Sequence, residues 1–224
     1  VSDLSILVVT RAEPHALPFL RSMRTLAFTT GAELVVAADG LEAYAALGDE
    51  FLVRLVKSQG YIESVLDEAL AACRTDYVLR LDDDEKASPA MVQWLAGGRY
   101  REHPHWSFPR AHLWRDEQTA IVTRLLWPDQ QTRLSLRALS GGRAKIHEAS
   151  PHGFGTIAPC ALLHYKFLVK SLDERRAIVE RYERIQPGAG TGPFVEFSTP
   201  EEPVVDARLV PLDELLAGLD RKAA

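Results

Sequence analysis

Short, continuous apolar runs separated by helix-like patterns constrain this chain more than any other feature. Ser5 to Thr10, Glu33 to Ala38, Phe51 to Val56 and Tyr77 to Leu81 each read as a strand. Between the third and fourth, Ile62, Val65, Leu66, Ala69, Leu70 and Cys73 share one helical face. Residues Ala16 to Met23, after Pro14, predict a helix between the first two strands. Strands without polar alternation are buried on both faces, which requires a mostly parallel sheet flanked by helices. The expected fold class is therefore α/β and Rossmann-like, with a less regular second half. In such sheets ligands bind beyond the carboxyl ends of the strands. Thr10-Arg11, Asp39-Gly40 and Asp82-Asp83-Asp84-Glu85 all fall at those ends.

The second half is punctuated differently. Ser88-Pro89 predicts a capped helix through Met91, Val92 and Leu95, closed by Gly97-Gly98. Segments 106–113 and 120–127 read as strands. Ser171-Leu172-Asp173-Glu174 matches a capping box and opens a helix carrying Arg175, Arg176, Arg181 and Arg184. For those arginines a solvated helix face is the default. Pro187-Gly188, Gly190 and Gly192 end it. One domain over 1–185 is expected, with a nucleotide-side half (1–98), a second half (99–185) and a C-terminal extension (186–224).

Composition excludes several classes. Apolar residues make up 46% of the 224, too many for a disordered chain. No apolar run reaches the roughly 18 residues a membrane span needs. Two cysteines, Cys73 and Cys160, make neither a disulfide framework nor a Cys-rich zinc site. The net charge of −5 argues against a dedicated nucleic-acid binder. The reading is a cytoplasmic protein, with work at a membrane surface compatible with it. No signal peptide is read; the chain opens on Val1, and a trimmed upstream segment stays open.

Four consecutive carboxylates repel one another unless solvent or a cation relieves them. At a strand end they face the ligand crevice, and hard oxygen donors of this kind suit Mg²⁺ or Mn²⁺. The chemistry they suggest is metal-assisted departure of a phosphate or diphosphate.

The segment Tyr77 to Glu85, followed by Ser88-Pro89, resembles the Asp-x-Asp region of family 2 glycosyltransferases with the GT-A fold. It is closest to the subgroup with a Leu-Asp-Ala-Asp-Glu loop. Trp127-Pro128-Asp129-Gln130-Gln131-Thr132-Arg133-Leu134 is similar to that subgroup's Pro-Asp-x-Gln-x-Arg-Leu segment. Ile146-His147-Glu148 is similar to its Val-His-Glu, and Leu162-Leu163-His164-Tyr165 to its late His-Tyr element. The four occur in order, and with the matching order of elements before them the resemblance covers roughly residues 5 to 185; together they are fairly specific, whereas any one alone is weak. Two segments depart from the family's usual pattern, Gly60 to Ser64 and Thr10 to Glu13. Donor sugar and nucleobase therefore stay unassigned.

The resemblance implies Asp84 as a metal ligand, with His164 reaching the metal or the diphosphate. It implies Asp82 as a contact to the ribose, or to the metal through water. Asp83 falls at the variable position, where an exposed carboxylate is the plainer reading. Glu148 is implied as the base that takes the acceptor proton, with His147 as its orienter or substitute. Thr10, Arg11, Glu13, Asp39 and Lys57 are candidates for nucleotide contacts from the strand ends. Arg133 is read either as a diphosphate ligand or as an ion-pair partner of Asp129. Trp106, Trp114 and Trp127 are read as sugar-stacking or, more commonly, core residues.

The resulting expectation is a metal-dependent, inverting glycosyltransferase of the hexosyltransferase type. It takes a nucleoside-diphosphate sugar as donor and an acceptor that is a saccharide, a lipid-linked sugar or a natural product. Oligomeric state is open, a homodimer included. A nucleotidyltransferase of related fold is the rival, although Thr10 to Pro14 lacks the glycine-rich loop expected there. A non-catalytic nucleotide-sugar-binding module is the third reading.

Overall fold

A computed structural model describes residues 3–142, 145–146, 152–200 and 207–223. Its strands are β1 (Leu4–Thr10), β2 (Glu33–Asp39), β3 (Val53–Val56), β4 (Tyr77–Leu81), β5 (Glu85–Ala87), β6 (His105–Leu113), β7 (Thr119–Val122), β8 (Asp129–Leu136), β9 (Thr156–Ile157), β10 (Leu162–His164) and β11 (Arg208–Pro211). Its helices are α1 (Ala16–Thr30), α2 (Leu41–Leu47), α3 (Leu66–Leu70), α4 (Pro89–Ala96), α5 (Lys166–Val169), α6 (Leu172–Ile185), α7 (Pro193–Ser198) and α8 (Leu212–Ala223). The main sheet runs β11-β7-β6-β8-β4-β1-β2-β3, with β5, β9 and β10 paired off this path.

The fold class agrees with the expectation. β1 to β4 are the continuous apolar strands, and they pair in parallel. Alternate residues along β1 serve two cores. Leu4, Ile6 and Val8 pack with α1 and α4 through Phe19, Leu20, Met23 and Met91. Leu7 and Val9 pack with Val65, Leu66, Ala69 and Leu70 on the other face. The helical face read over 62–73 is therefore the buried one, but its backbone is less regular than expected. Ile62–Val65 is a 3-10 turn, and only Leu66–Leu70 is α-helical.

Beyond β4 the sheet turns antiparallel: β8 pairs antiparallel with β4 and with β6, and β6 with β7. This is the irregular half, and β8 was not foreseen as a strand. Helix α1 extends to Thr30, past the predicted Met23, and closes on Gly31, whose φ of +68° suits the left-handed cap. The Ser88 cap and the Ser171–Glu174 capping box form as predicted. The segment after the glycine-rich stretch folds into α7, and β11 adds a strand beside β7. Among the described residues, no helix is long and apolar enough to cross a membrane.

Candidate active site

The polar ends of β1, β2 and β4 converge on one edge, because parallel strands place all their carboxyl ends together. At the outer end, Asp39 accepts from Arg11 Nε at 2.9 Å, and from the Ser58 amide and hydroxyl at 2.7 and 2.6 Å. Thr10 donates from Oγ1 to Asp83 at 2.5 Å and accepts from the Ala12 amide at 3.0 Å. Ala12 takes a left-handed φ of +55°, a strained conformation for a residue with a Cβ. The loop it begins brings Glu13 and His15 to the acidic cluster. Lys57 is exposed; Ser58, one residue on, makes the contact to Asp39.

The four carboxylates have four different environments. Asp82 is paired by the Arg133 guanidinium. Asp83 is tied to Thr10, with only 15% of its side chain exposed, so it is not the exposed bystander the sequence suggested. Asp84 is buried, with His164 Nε2 at 3.3 Å from one oxygen and Lys170 Nζ at 3.1 Å from the other. Glu85 is fully buried. Its Oε1 accepts from Arg110 at 2.8 Å and Arg133 at 2.7 Å, and its Oε2 from the Asp82 amide at 3.0 Å. Arg133 thus pairs with Asp82 and Glu85, whereas Asp129, the partner considered for it, is held by Arg110 through Nε and Nη2, both at 2.7 Å.

Asp129 leads into a second buried chain. His112 Nε2 lies 3.0 Å from Asp129 Oδ2, and His112 Nδ1 lies 3.0 Å from His164 Nδ1. The sheet register makes this geometry. Arg110 is the cross-strand partner of Asp129, and His112 that of His164, which also pairs with Glu85. Arg110 and His112 are two apart on β6 and so share a face.

Burial and charge set the ionisation. Burial alone would raise Asp84, but the His164 and Lys170 contacts outweigh it and hold the carboxyl well below its usual range. Burial likewise opposes ionisation of Asp129; Arg110, His112 and Gln131 overcome it and lower the pKa. Burial pushes His112 down to about 4, aided by Arg110 and resisted by Asp129. Burial, aided by Arg110 and resisted by Asp84, lowers His164 as well. Burial lowers Lys166 to about 7. Glu85 is pushed up to about 8 by burial and by Asp82, with Arg110 pulling against both.

All of these groups except Glu85 and His112 line an open cleft of about 450 Å³. Helix α7 covers its basic side, with Phe197 against His112, Arg110 and Lys166. Three polar atoms on cleft residues are buried without a hydrogen-bond partner: Arg80 Nε, Arg133 Nε and Gln130 Oε1. Nearby, His15 Nε2 is likewise unpartnered, 3.8 Å from Asp83 and 3.7 Å from Glu13. Buried polar atoms without partners are costly, and their concentration here fits a site that completes itself on a ligand. One nitrogen of His15 and one oxygen each from Asp83 and Asp84 lie within 4.8 Å of one another, a donor set that fits a divalent cation. A larger hollow of about 670 Å³ beneath α8 involves none of the strand-end carboxylates.

The structure thus brings together Thr10, Glu13, Asp82, Asp83, Asp84, Arg133 and His164, with Arg11 and Asp39 alongside. Glu148 and His147 lie outside the described residues. Sequence reasoning missed His15, Arg110, His112, Asp129 in its paired role, Lys166 and Lys170. A signal existed for two of them: Arg110 and His112 are polar residues spaced by two within an apolar strand. Of the helix arginines, Arg175 is not solvated; it is buried and donates to the Ser198 carbonyl at 2.9 Å. Trp106 is a core residue stacked edge-on against Trp94, and Trp114 packs on Phe167.

A comparison with protein-family models and with curated proteins finds no match. Among solved structures, the chain is similar to Staphylococcus aureus TarS, with 14% identity and a TM-score of 0.49 over 83% of this chain and 40% of that one. For TarS 1-349 in complex with UDP-GlcNAc the values are 12% and 0.45, over 83% and 68%. For the Rv0371C complex with manganese from Mycobacterium tuberculosis H37Rv they are 16% and 0.43, over 79% and 97%. At this identity the likeness concerns the fold; the chemistry must come from this chain's own side chains.

Proposed function

We propose that this protein is a metal-dependent glycosyltransferase that moves a sugar from a nucleoside-diphosphate donor to an acceptor hydroxyl with inversion. The observation that carries the reading is the set of Asp83, Asp84, His15 and His164 gathered at the exit of β4, in a cleft whose other wall supplies Arg80, Arg133, Lys166 and Lys170. Asp84, with His164 on one side and His15 and Asp83 on the other, would hold Mn²⁺ or Mg²⁺. Mixed nitrogen and carboxylate donors favour Mn²⁺ of the two. The cation, when bound, offsets charge on the departing diphosphate. Around it, Lys170 and Arg133 supply fixed positive charge for the same group. Arg11 and Asp39 would flank the nucleoside, with Thr10 and Glu13 at the mouth.

Glu148 is proposed as the base that removes the acceptor proton, with His147 beside it in sequence. Glu148→Gln keeps the shape and removes the basicity, so turnover should fall about 10²- to 10⁴-fold while donor affinity changes less than threefold. Single-turnover kinetics alongside donor titration measures both; near-normal turnover assigns the base elsewhere.

Lys170 occupies part of the cation's neighbourhood, 3.1 Å from Asp84 and 3.4 Å from Glu13. Removing its charge should strengthen the local field for a divalent cation. Lys170→Met is expected to tighten Mn²⁺ binding without nucleotide by roughly tenfold. Titration of Mn²⁺ followed by electron paramagnetic resonance reads this, and unchanged or weaker binding would place the cation away from Asp84.

Product analysis tests the reaction class. Release of a nucleoside diphosphate from a sugar nucleotide supports glycosyl transfer. Release of pyrophosphate from a nucleoside triphosphate would replace this reading with nucleotidyl transfer. Donor binding without release of either product, across acceptors, would leave a binding module.

A further inference from the structure

Asp39, at the end of β2, is filled by donors from the protein itself. Its Oδ2 accepts from Arg11 Nε at 2.9 Å and from the Ser58 hydroxyl at 2.6 Å, and its Oδ1 accepts from the Ser58 amide at 2.7 Å. Only 11% of its side chain is exposed. The Ser58 hydroxyl is filled too. It donates to Asp39 and accepts from Arg11 Nη2 at 3.2 Å and from the Gly60 amide at 3.1 Å. A hydroxyl has one proton and two lone pairs, so nothing is left over.

Arg11 differs. A guanidinium carries five N–H bonds and is always charged. Asp39 and Ser58 take one each; among the described residues the others meet no protein acceptor. The bonded atoms form the Nε–Nη2 edge of the plane. The neighbouring Nη1–Nη2 edge keeps two parallel N–H bonds, on a side chain that is 33% exposed. This subsite therefore presents a fixed pair of donors and almost no acceptor.

Its position identifies the part of the ligand that arrives there. In the order β4-β1-β2, the anchor of Arg11 lies two strands from Asp83 and Asp84, roughly 10 Å at ordinary strand spacing. Thr10 and His15 tie the same loop to Asp83. With the diphosphate at the acidic cluster, the base of the nucleotide reaches Arg11.

We propose that Arg11 reads the nucleobase, and that the donor carries a base with two adjacent acceptors, either guanine through O6 and N7 or cytosine through O2 and N3. This rests on the nucleotide-sugar reading above and deepens it. An end-on guanidinium matches such a pair bidentately. Uracil sets an N–H between its two carbonyls, and adenine sets an amino group beside N7, so each opposes one of the two donors with another donor.

Calorimetric titration of GDP, CDP, UDP and ADP, each with Mn²⁺, tests the assignment. GDP or CDP should bind about 10- to 100-fold more tightly than UDP and ADP. The 7-deaza analogue of GDP lacks N7 and separates the two bases: where GDP leads, the analogue should lose about tenfold or more, and equal binding overturns the proposal. Arg11→Met keeps the stem and removes the donors. It should abolish the preference while the affinity for inorganic pyrophosphate with Mn²⁺ changes less than about threefold. UDP or ADP as the tightest ligand overturns the proposal whether or not the variant folds, and leaves the nucleotide-sugar reading standing. A preference retained in Arg11→Met also overturns it. So does a parallel loss of pyrophosphate affinity, which would put Arg11 on the phosphates. If none of the four nucleotides binds, this proposal and the nucleotide-sugar reading fall together.

Discussion

Asp84→Asn should lower the Mn²⁺-dependent affinity for a nucleoside diphosphate by about 10²- to 10³-fold. The change is nearly isosteric. It removes the one carboxylate that lies between His164 and Lys170, and so the charge that would bind a cation at the centre of the cleft. His15, His164 and Asp83 remain, but they offer a single carboxylate between them, and such a set holds a divalent cation poorly. Calorimetric titration of the nucleotide with and without Mn²⁺ separates the metal-dependent part. The metal-independent part should change little, because Arg11, Asp39 and Arg133 are untouched. Equal Mn²⁺ enhancement in variant and wild type would sink the metal assignment. A melting curve is the necessary control, since Lys170 loses its nearest partner.

The largest stability effect is expected at Arg110. It is buried and bonds Glu85 and Asp129, with Asp82 at 4.0 Å. Breaking such a group from one side leaves uncompensated buried carboxylates, which costs about 3–5 kcal/mol. Arg110→Leu should therefore lower the melting temperature by about 10 °C in a chain of this size. Arg110→Lys should recover only part of this, because an ammonium cannot reproduce the forked contacts to both partners. By contrast, Arg21 forms two 2.9 Å bonds to Glu50 but is half exposed and screened by solvent, and Arg21→Ala should leave the melting temperature nearly unchanged. Calorimetric melts of the three variants compare them directly. Similar melting temperatures for Arg110→Leu and Arg21→Ala would mean the buried cluster adds no net stability.

What the sequence conveyed was whatever is encoded locally. Continuous apolar runs specify buried strands, and the polar residue that stops each run marks its carboxyl end. That reasoning placed Thr10, Asp39 and Asp82 to Asp84 on one edge without any coordinates. Capping chemistry is equally local, so Ser88 and Ser171 were legible. The helix over 62–73 was legible as a buried face and not as regular backbone, because apolar spacing reports which side is covered rather than which hydrogen bonds form.

Only the tertiary structure decided the partners. Arg110 and Asp129 are 19 residues apart, His112 and His164 are 52, and Asp84 and Lys170 are 86. Each pair meets because β6 registers against β8 and β10, or because the chain returns through α5 to the end of β4. A slip of one residue in that register would turn Arg110 and His112 to the opposite face and dissolve the line of histidines. Register depends on the packing of the whole sheet, so a reading confined to windows along the chain locates the acidic edge but cannot assign the side chains that meet it.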